Sequence, residues 1–198
     1  MSTNKRVAVI DVDGVLYDFV GQLAEITSLI TGRPLYHFPP AEVYRFMVDD
    51  WKLTMDEYLE IMELGVRLHE LFKGGVPFGG ALVGWDKLVK TGCKIHIATH
   101  CGITQSATVA QQHRVDWLAD WDFHFDAIDF TADKAAVAKR YLDLGWEVAS
   151  LEDYDKNFHA LEEVGARSFL VHQRWNRHVD TPNRVRDVEE FVNRTGWL

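Results

Sequence analysis

The side chains best suited to chemistry stand just beyond short apolar runs. Asp11 and Asp13 follow Val7 to Ile10, Thr99 follows Lys94 to Ala98, Asp133-Lys134 follows Asp126 to Phe130, and Glu152-Asp153 follows Glu147 to Leu151. Side chains at i and i+2 of an extended segment share a face, so Asp11 and Asp13 can both point into one crevice. Two carboxylates so close repel one another. A hard divalent cation relieves the repulsion, and Mg²⁺ takes one or two carboxylates while leaving positions for water and a phosphate oxygen. Glu152-Asp153 supplies a further acidic ligand. Lys134 near the start of a helix is unfavourable with the helix dipole, a mild penalty that points to an anion held there. Gly14 has no side chain to obstruct an approach, so the backbone amides of Asp13 and Gly14 can contact the same anion. Taken singly, Asp13-Gly14 is a common turn pair and Thr99 an ordinary helix cap. The set carries the chemistry.

The elements that must position this set are legible from pattern. Val7 to Ile10 reads as a strand buried on both faces, and comparable runs recur at Lys94 to Ala98, Asp126 to Phe130, Glu147 to Leu151 and Ser168 to Val171. Segments of helical spacing separate the later runs, which argues for a parallel sheet. The first two runs are much further apart than a crossover requires. Gly21 to Thr31 reads as a helix closed by Gly32-Arg33-Pro34, and Phe38-Pro39-Pro40 as a stiff connection. Thr54-Met55-Asp56-Glu57 fits a capping box, continued at helical spacing by Tyr58, Ile61, Leu64, Leu68, Leu71 and Phe72 up to Gly74-Gly75. Val185, Val188, Phe191 and Val192 suggest a closing helix. The expected fold is α/β: a Rossmann-like parallel sheet flanked by helices, with a small helical cap inserted after the first strand. Its core comprises residues 1–16 and 77–198, and the cap residues 17–76.

Asp11-Val12-Asp13-Gly14-Val15-Leu16 resembles the nucleophile motif of the haloacid dehalogenase-like superfamily of phosphotransferases. Ile95 to Thr99 resembles its second motif, Lys134 its third and Leu151-Glu152-Asp153 its acidic fourth, all in order after expected strands. The resemblance implies that Asp11 attacks phosphorus to give an aspartyl-phosphate and that Asp13 serves as acid and base. It implies that Thr99 hydrogen-bonds the transferring phosphoryl group while Lys134 and Mg²⁺ neutralise charge. Asp11, Asp13, Glu152 and Asp153 are the implied metal set, with Asp153 the direct ligand ahead of Glu152. Asp13, Gly14, Thr99, His100 and Lys134 are the implied phosphate contacts. Within the superfamily the likeness is greatest to the 5′(3′)-deoxyribonucleotidases, through Asp133-Lys134, the modest cap and Asn176-Arg177-His178. Glu152 departs from the Asp those enzymes tend to carry. Asp13 also argues against dehalogenation, since a halide leaves without needing a proton.

Composition bounds the partners. The chain has 198 residues, 47% of them apolar, and a formal net charge of −9, which gives no electrostatic footprint for long duplex DNA or an anionic membrane. The two cysteines, Cys93 and Cys101, the short apolar stretches and the start of the chain, which lacks a signal-type apolar core, read as a soluble, reducing, cytoplasmic setting. The expected partner is a small phosphorylated substrate, a nucleotide in the first instance. Tyr44, Phe46, Trp51 and Phe72 are candidates to sandwich its base, against packing within the cap. Arg174 and Arg177, with their flanking histidines, are candidates for a positive rim, against a solvated loop. His100 stands open between substrate contact and bystander, and His96 reads as a core histidine. The alternatives are a phosphatase of sugar phosphates or of 3′-phosphorylated nucleic-acid ends, and a catalytically silent nucleotide-binding module.

Overall fold

A computed structural model describes residues 5–101 and 104–198. The reading of Met1 to Asn4 as part of a start without a signal lies outside the described residues. Six parallel strands form one sheet in the order β3-β2-β1-β4-β5-β6: β1 Arg6–Ile10, β2 Lys94–Thr99, β3 Ala127–Phe130, β4 Glu147–Glu152, β5 Arg167–Val171 and β6 Arg184–Val185. Among the described residues eight α-helices accompany them. They are α1 Phe19–Thr31, α2 Phe46–Asp49, α3 Met55–His69, α4 Ala81–Lys90, α5 Ala107–Asp120, α6 Lys134–Leu142, α7 Asp155–Glu163 and α8 Val188–Thr195. The Rossmann-like α/β expectation holds, with both faces of the sheet covered.

Alternation along the strands divides the core. Ala8 and Ile10 of β1 pack with Ile95, Ile97, Leu151, Phe169 and Phe191 on one face, whereas Val7 and Val9 pack with Ala98, Val137, Val148 and Leu161 on the other. The polar residues Ser150 and Ser168 on neighbouring strands satisfy one another, hydroxyl to hydroxyl at 2.9 Å.

Between β1 and β2 the chain leaves the sheet at Tyr17 and returns at Pro77, where the two crossings meet in an antiparallel bridge. The helices between them have a cluster of their own, with Leu23 and Ile26 of α1 packed on Phe46, Trp51, Ile61 and Met62. The expected capping box opens α3: the Thr54 N–H donates to Glu57 Oε2 at 2.8 Å and the Glu57 N–H donates to Thr54 Oγ1 at 3.2 Å. Gly32 closes α1 in the left-handed conformation, as its position predicts.

Three local readings need correction. α3 stops at His69 because Glu70 turns left-handed, so Leu71 and Phe72 pack from the turn that follows, and Leu68 is exposed. Val185 belongs to the two-residue strand β6, not to the closing helix, which begins at Val188. The third strand begins at Ala127, and the Asp126 carboxylate instead accepts the Ile95 N–H at 2.7 Å.

Candidate active site

Strand order reverses between β1 and β4, and in open parallel sheets that is where a ligand crevice opens beyond the strand ends. Ile10 pairs with Leu151, and the Asp11 N–H continues the ladder to the Leu151 carbonyl at 3.1 Å. This register puts Asp11 beside Glu152 and Asp153. Carboxylate oxygens of the three lie within 4.8 Å of one another, all buried. Lys134, the first residue of α6, sits among them, with Nζ 2.6 Å from Asp11 Oδ2 and 2.8 Å from Glu152 Oε1.

One ammonium faces three carboxylates in a site withdrawn from water. Burial alone would lower the Lys134 pKa, yet Asp11 and Glu152 hold it above its ordinary value, so the lysine stays charged. Burial pushes Glu152 up to about 8, against the pull of Lys134. Burial also carries Asp153 well above the usual range, with Asp11 and Glu152 adding to it. Ionising all three carboxylates against one ammonium is what burial resists, and a hard cation among them would favour that ionised form. The two acids of β4's end differ in their partners. Glu152 is 1% exposed and engaged by Lys134 and by Asn157, whose Nδ2 donates to Oε2 at 3.3 Å. Asp153 faces the cleft and accepts only the Trp175 indole N–H, at 3.1 Å, among the described residues.

The Asp13 carboxylate is not part of this acidic group. It turns away and forms an ion pair with Arg114 of α5. Burial raises its carboxyl to about 6, with Arg114 opposing and Asp11 adding. Of the implied metal set, Asp11, Glu152 and Asp153 converge, and the Asp13 carboxylate lies outside that group. The Gly14 N–H, an implied phosphate contact, donates to the Tyr17 carbonyl at 3.0 Å. Glycine is required there by a φ of +75° and an approach so close that a Cβ would lie 2.1 Å from Asp153 Oδ2. Thr99 ends β2 fully buried, its hydroxyl without a partner among the described residues.

A cleft of about 410 Å³ opens over Asp11, Asp13, Lys134 and Asp153. Tyr44, Phe46 and Phe72 line it as proposed for an aromatic wall, joined by Met47, Tyr58 and Met62, and His100 lines it as well. Trp51 does not. It is buried against Phe38 and Phe46, and its indole N–H donates to the Pro39 carbonyl at 2.8 Å, which makes it part of the helical cluster. Arg174 and Arg177 also stand apart from the cleft. Both pair with Glu42, at 2.7 and 3.6 Å, beside a neighbouring hollow in which His178 pairs with Asp155 at 3.1 Å. The intervening Asn176 is structural, its buried amide donating to the Asp153 and Val171 carbonyls at 2.8 Å each. His96, expected in the core, is buried beside the Tyr141 hydroxyl and Asp129.

Arg114 was not anticipated. The signal was present, since Arg114 falls in register with the buried Ala110, Trp117 and Leu118 on the inner face of α5. A cation in a buried stripe needs a buried partner.

A model of the family described as 5′ nucleotidase, deoxy (pyrimidine), cytosolic type C protein matches residues 5–194. A protein of Chlorobaculum tepidum named "Putative 5'(3')-deoxyribonucleotidase" is 28% identical over 182 residues, covering 91% of this chain and 85% of the relative. Among solved structures, a HAD family hydrolase from Deinococcus radiodurans R1, with bound phosphate and sodium, superposes at a TM-score of 0.66 with 15% identity, covering 100% of this chain and 99% of the other. A haloacid dehalogenase-like hydrolase from Streptococcus pneumoniae superposes at 0.64 with 16% identity, covering 98% and 99%. At these identities the structures speak for the fold alone. The family match spans nearly the whole chain and includes every residue of the acidic cleft, and on that footing the chain belongs to the deoxy (pyrimidine), cytosolic type C 5′ nucleotidase family and is a phosphoric monoester hydrolase.

Proposed function

We propose that the protein is a Mg²⁺-dependent phosphomonoesterase that removes phosphate from deoxynucleoside monophosphates through an aspartyl-phosphate on Asp11. The observation that carries the reading is the position of Asp11, fixed by Lys134 on the floor of a cleft whose opposite wall is aromatic and apolar. Asp11 Oδ attacks phosphorus in line with the ester oxygen, and Asp13, whose carboxyl is raised to about 6 and so exchanges protons more readily near neutral pH than an ordinary carboxylate, protonates the leaving oxygen. Asp13 then takes a proton from the water that cleaves the aspartyl-phosphate. The orphaned Thr99 hydroxyl donates to a phosphoryl oxygen, and Lys134 holds Asp11 in place and offsets its charge.

Asp11, Glu152 and Asp153 fit a divalent cation, because their oxygens converge with only one ammonium against three carboxylates. Of the two β4 acids, Asp153 has the oxygen facing the cleft, and Glu152 acts from behind through Lys134 and Asn157. The chemistry Mg²⁺ supplies in such a set is electrostatic stabilisation of the phosphoryl oxygens.

Residues 17–76 form the cap that gives the cleft its apolar wall. Tyr44 is the exposed aromatic of this wall and Phe46 and Phe72 line it from their buried positions, and an apolar, aromatic wall favours a nucleoside over a bare sugar. The test is phosphate release from deoxynucleotides, ribonucleotides, sugar phosphates and 3′-phosphorylated oligonucleotides, with Mg²⁺ or chelator. Mg²⁺-dependent turnover of deoxynucleoside monophosphates well above the other classes supports the proposal. Preference for another class replaces the substrate, and binding without turnover replaces the activity.

A further inference from the structure

Arg114 enters none of the steps above, yet it is among the largest fully buried side chains of the protein. Its guanidinium lies over three aromatic rings, 4.2 Å from the centroid of Tyr17, 5.1 Å from Phe72 and 5.5 Å from Trp117. That box is made where the chain crosses between the sheet and the inserted helices. The Tyr17 hydroxyl donates to the Leu71 carbonyl and accepts the Gly75 N–H at 3.2 Å, and the Trp117 indole N–H donates to the Gly75 carbonyl at 2.7 Å. The outgoing and returning crossings are thereby joined around the arginine. A second tie reaches the start of the same helix: Glu63 of α3 accepts the Ser106 hydroxyl at 2.5 Å and its N–H at 3.2 Å.

The hydrogen bonding of Arg114 is lopsided. Nη2 donates to Asp13, while Nε and Nη1 are buried without partners among the described residues. A buried arginine kept only for stability would have its fork satisfied, since an unpartnered buried donor forfeits its hydration with nothing in return. Asp13 is the one carboxylate that the fork meets among the described residues, while the rings of the box and the Cys101 thiol face the rest of the guanidinium.

We infer that Arg114 is a positioning residue for Asp13, seated in an aromatic box built by the two crossings of the cap and aiming the Asp13 carboxyl at the leaving oxygen. The inference rests on the proposed role of Asp13 and deepens it. In the first chemical step the bond from phosphorus to the ester oxygen breaks as the bond to Asp11 forms, and the Asp13 proton moves to the departing oxygen, releasing a neutral nucleoside. A p-nitrophenyl leaving group departs as phenolate and takes no proton. Misplacing Asp13 must therefore slow the first step for a nucleotide far more than for p-nitrophenyl phosphate.

The experiment is rapid-quench single turnover of the Mg²⁺-loaded protein with thymidine 5′-monophosphate and with p-nitrophenyl phosphate, comparing wild type, Arg114→Met, Arg114→Lys and Asp13→Asn. The ratio of the two rates within one preparation is independent of how much of it is folded. The expected result for Arg114→Met is a loss of about 100-fold on the nucleotide and less than about fivefold on the aryl ester, as for Asp13→Asn, with KM for the nucleotide changed less than about threefold. Arg114→Lys, which keeps one charged donor, recovers about tenfold on the nucleotide. Equal losses on both substrates, or no loss on either, in Arg114→Met while Asp13→Asn shows the selective loss would overturn the positioning role alone. Absence of the selective loss in Asp13→Asn itself would overturn the acid role on which it rests.

Discussion

Chelation should make the protein lose stability as pH rises, and the acidic cluster says by how much. Burial carries Glu152 from 4.5 to about 8 in the folded protein, so between these values the folded state binds more protons than the unfolded one. The stability that protonation contributes is complete below about 4.5 and is lost as pH rises through about 8. At about 1.4 kcal/mol for each tenfold change in proton affinity, the shift seen at Glu152, shared with Asp11, Asp153 and Lys134 around it, is worth on the order of 5 kcal/mol for the cluster. For a chain of 198 residues, where 1 kcal/mol moves Tm by about 2–4 °C, the fall in chelator is roughly 10–20 °C between pH 5 and pH 9. Mg²⁺ at about a hundred times its Kd restores about 2.7 kcal/mol where the carboxylates are ionised, or roughly 5–10 °C, and little at pH 5 where they are protonated. The assay is thermal unfolding by circular dichroism at four or five pH values with Mg²⁺ or chelator. Glu152→Gln tests the contribution, because it removes one acid and relieves its push on Asp153, and both changes should flatten the chelator slope. A Mg²⁺ effect of equal size at all pH values, or a Glu152→Gln slope equal to wild type, would refute the account of the cluster.

Lys134→Met removes the only cation in contact with Asp11 and Glu152 among the described residues. It should lower phosphate release more than about 100-fold and cost about 3–5 kcal/mol in chelator at pH 8, read by urea titration. Gly14→Ala forces a Cβ against Asp153 and a φ of +75° on alanine. Weaker Mg²⁺ binding by calorimetry, by at least about tenfold, is the expected outcome. Trp51 and Tyr44 should separate cleanly: Trp51→Ala costs about 3–5 kcal/mol of stability from the helical cluster. Tyr44→Ala, from a 46% exposed ring at the cleft, instead raises KM for a deoxynucleotide about tenfold with little change in Tm.

Much of the frame and of the acidic site was legible because strand ends are where both the buried pattern stops and the chemistry begins. Val7 to Ile10 has no polar residue until Asp11, and the second and fourth runs, though interrupted by His96 and Ser150, still close with an apolar residue before Thr99 and Glu152, so pattern and function mark the same positions. The α3 capping box was legible because its reciprocal bonds are local in sequence. Orientation was not. Trp51 and Phe72 are both aromatic residues of the insertion and both belong to its buried cluster, but only packing decides that Phe72 also reaches the cleft and Trp51 does not. Arg174 and Arg177 looked available to an anion because their partner Glu42 lies far away in the chain. Arg114 lies in register with Ala110, Trp117 and Leu118, but the partner that gives a buried cation its meaning, Asp13, is also remote in the chain. Two-residue β6 carries too little pattern to register.

The central claim is that phosphate passes through Asp11, and the most direct measurement traps it there. Protein mixed with a deoxynucleoside monophosphate and Mg²⁺, quenched within milliseconds and reduced with borohydride, should yield homoserine at position 11 in the peptide mass spectrum, and Asp11→Asn should yield none and release no phosphate. Unmodified Asp11 during active turnover, or near-normal phosphate release from Asp11→Asn, would contradict the account.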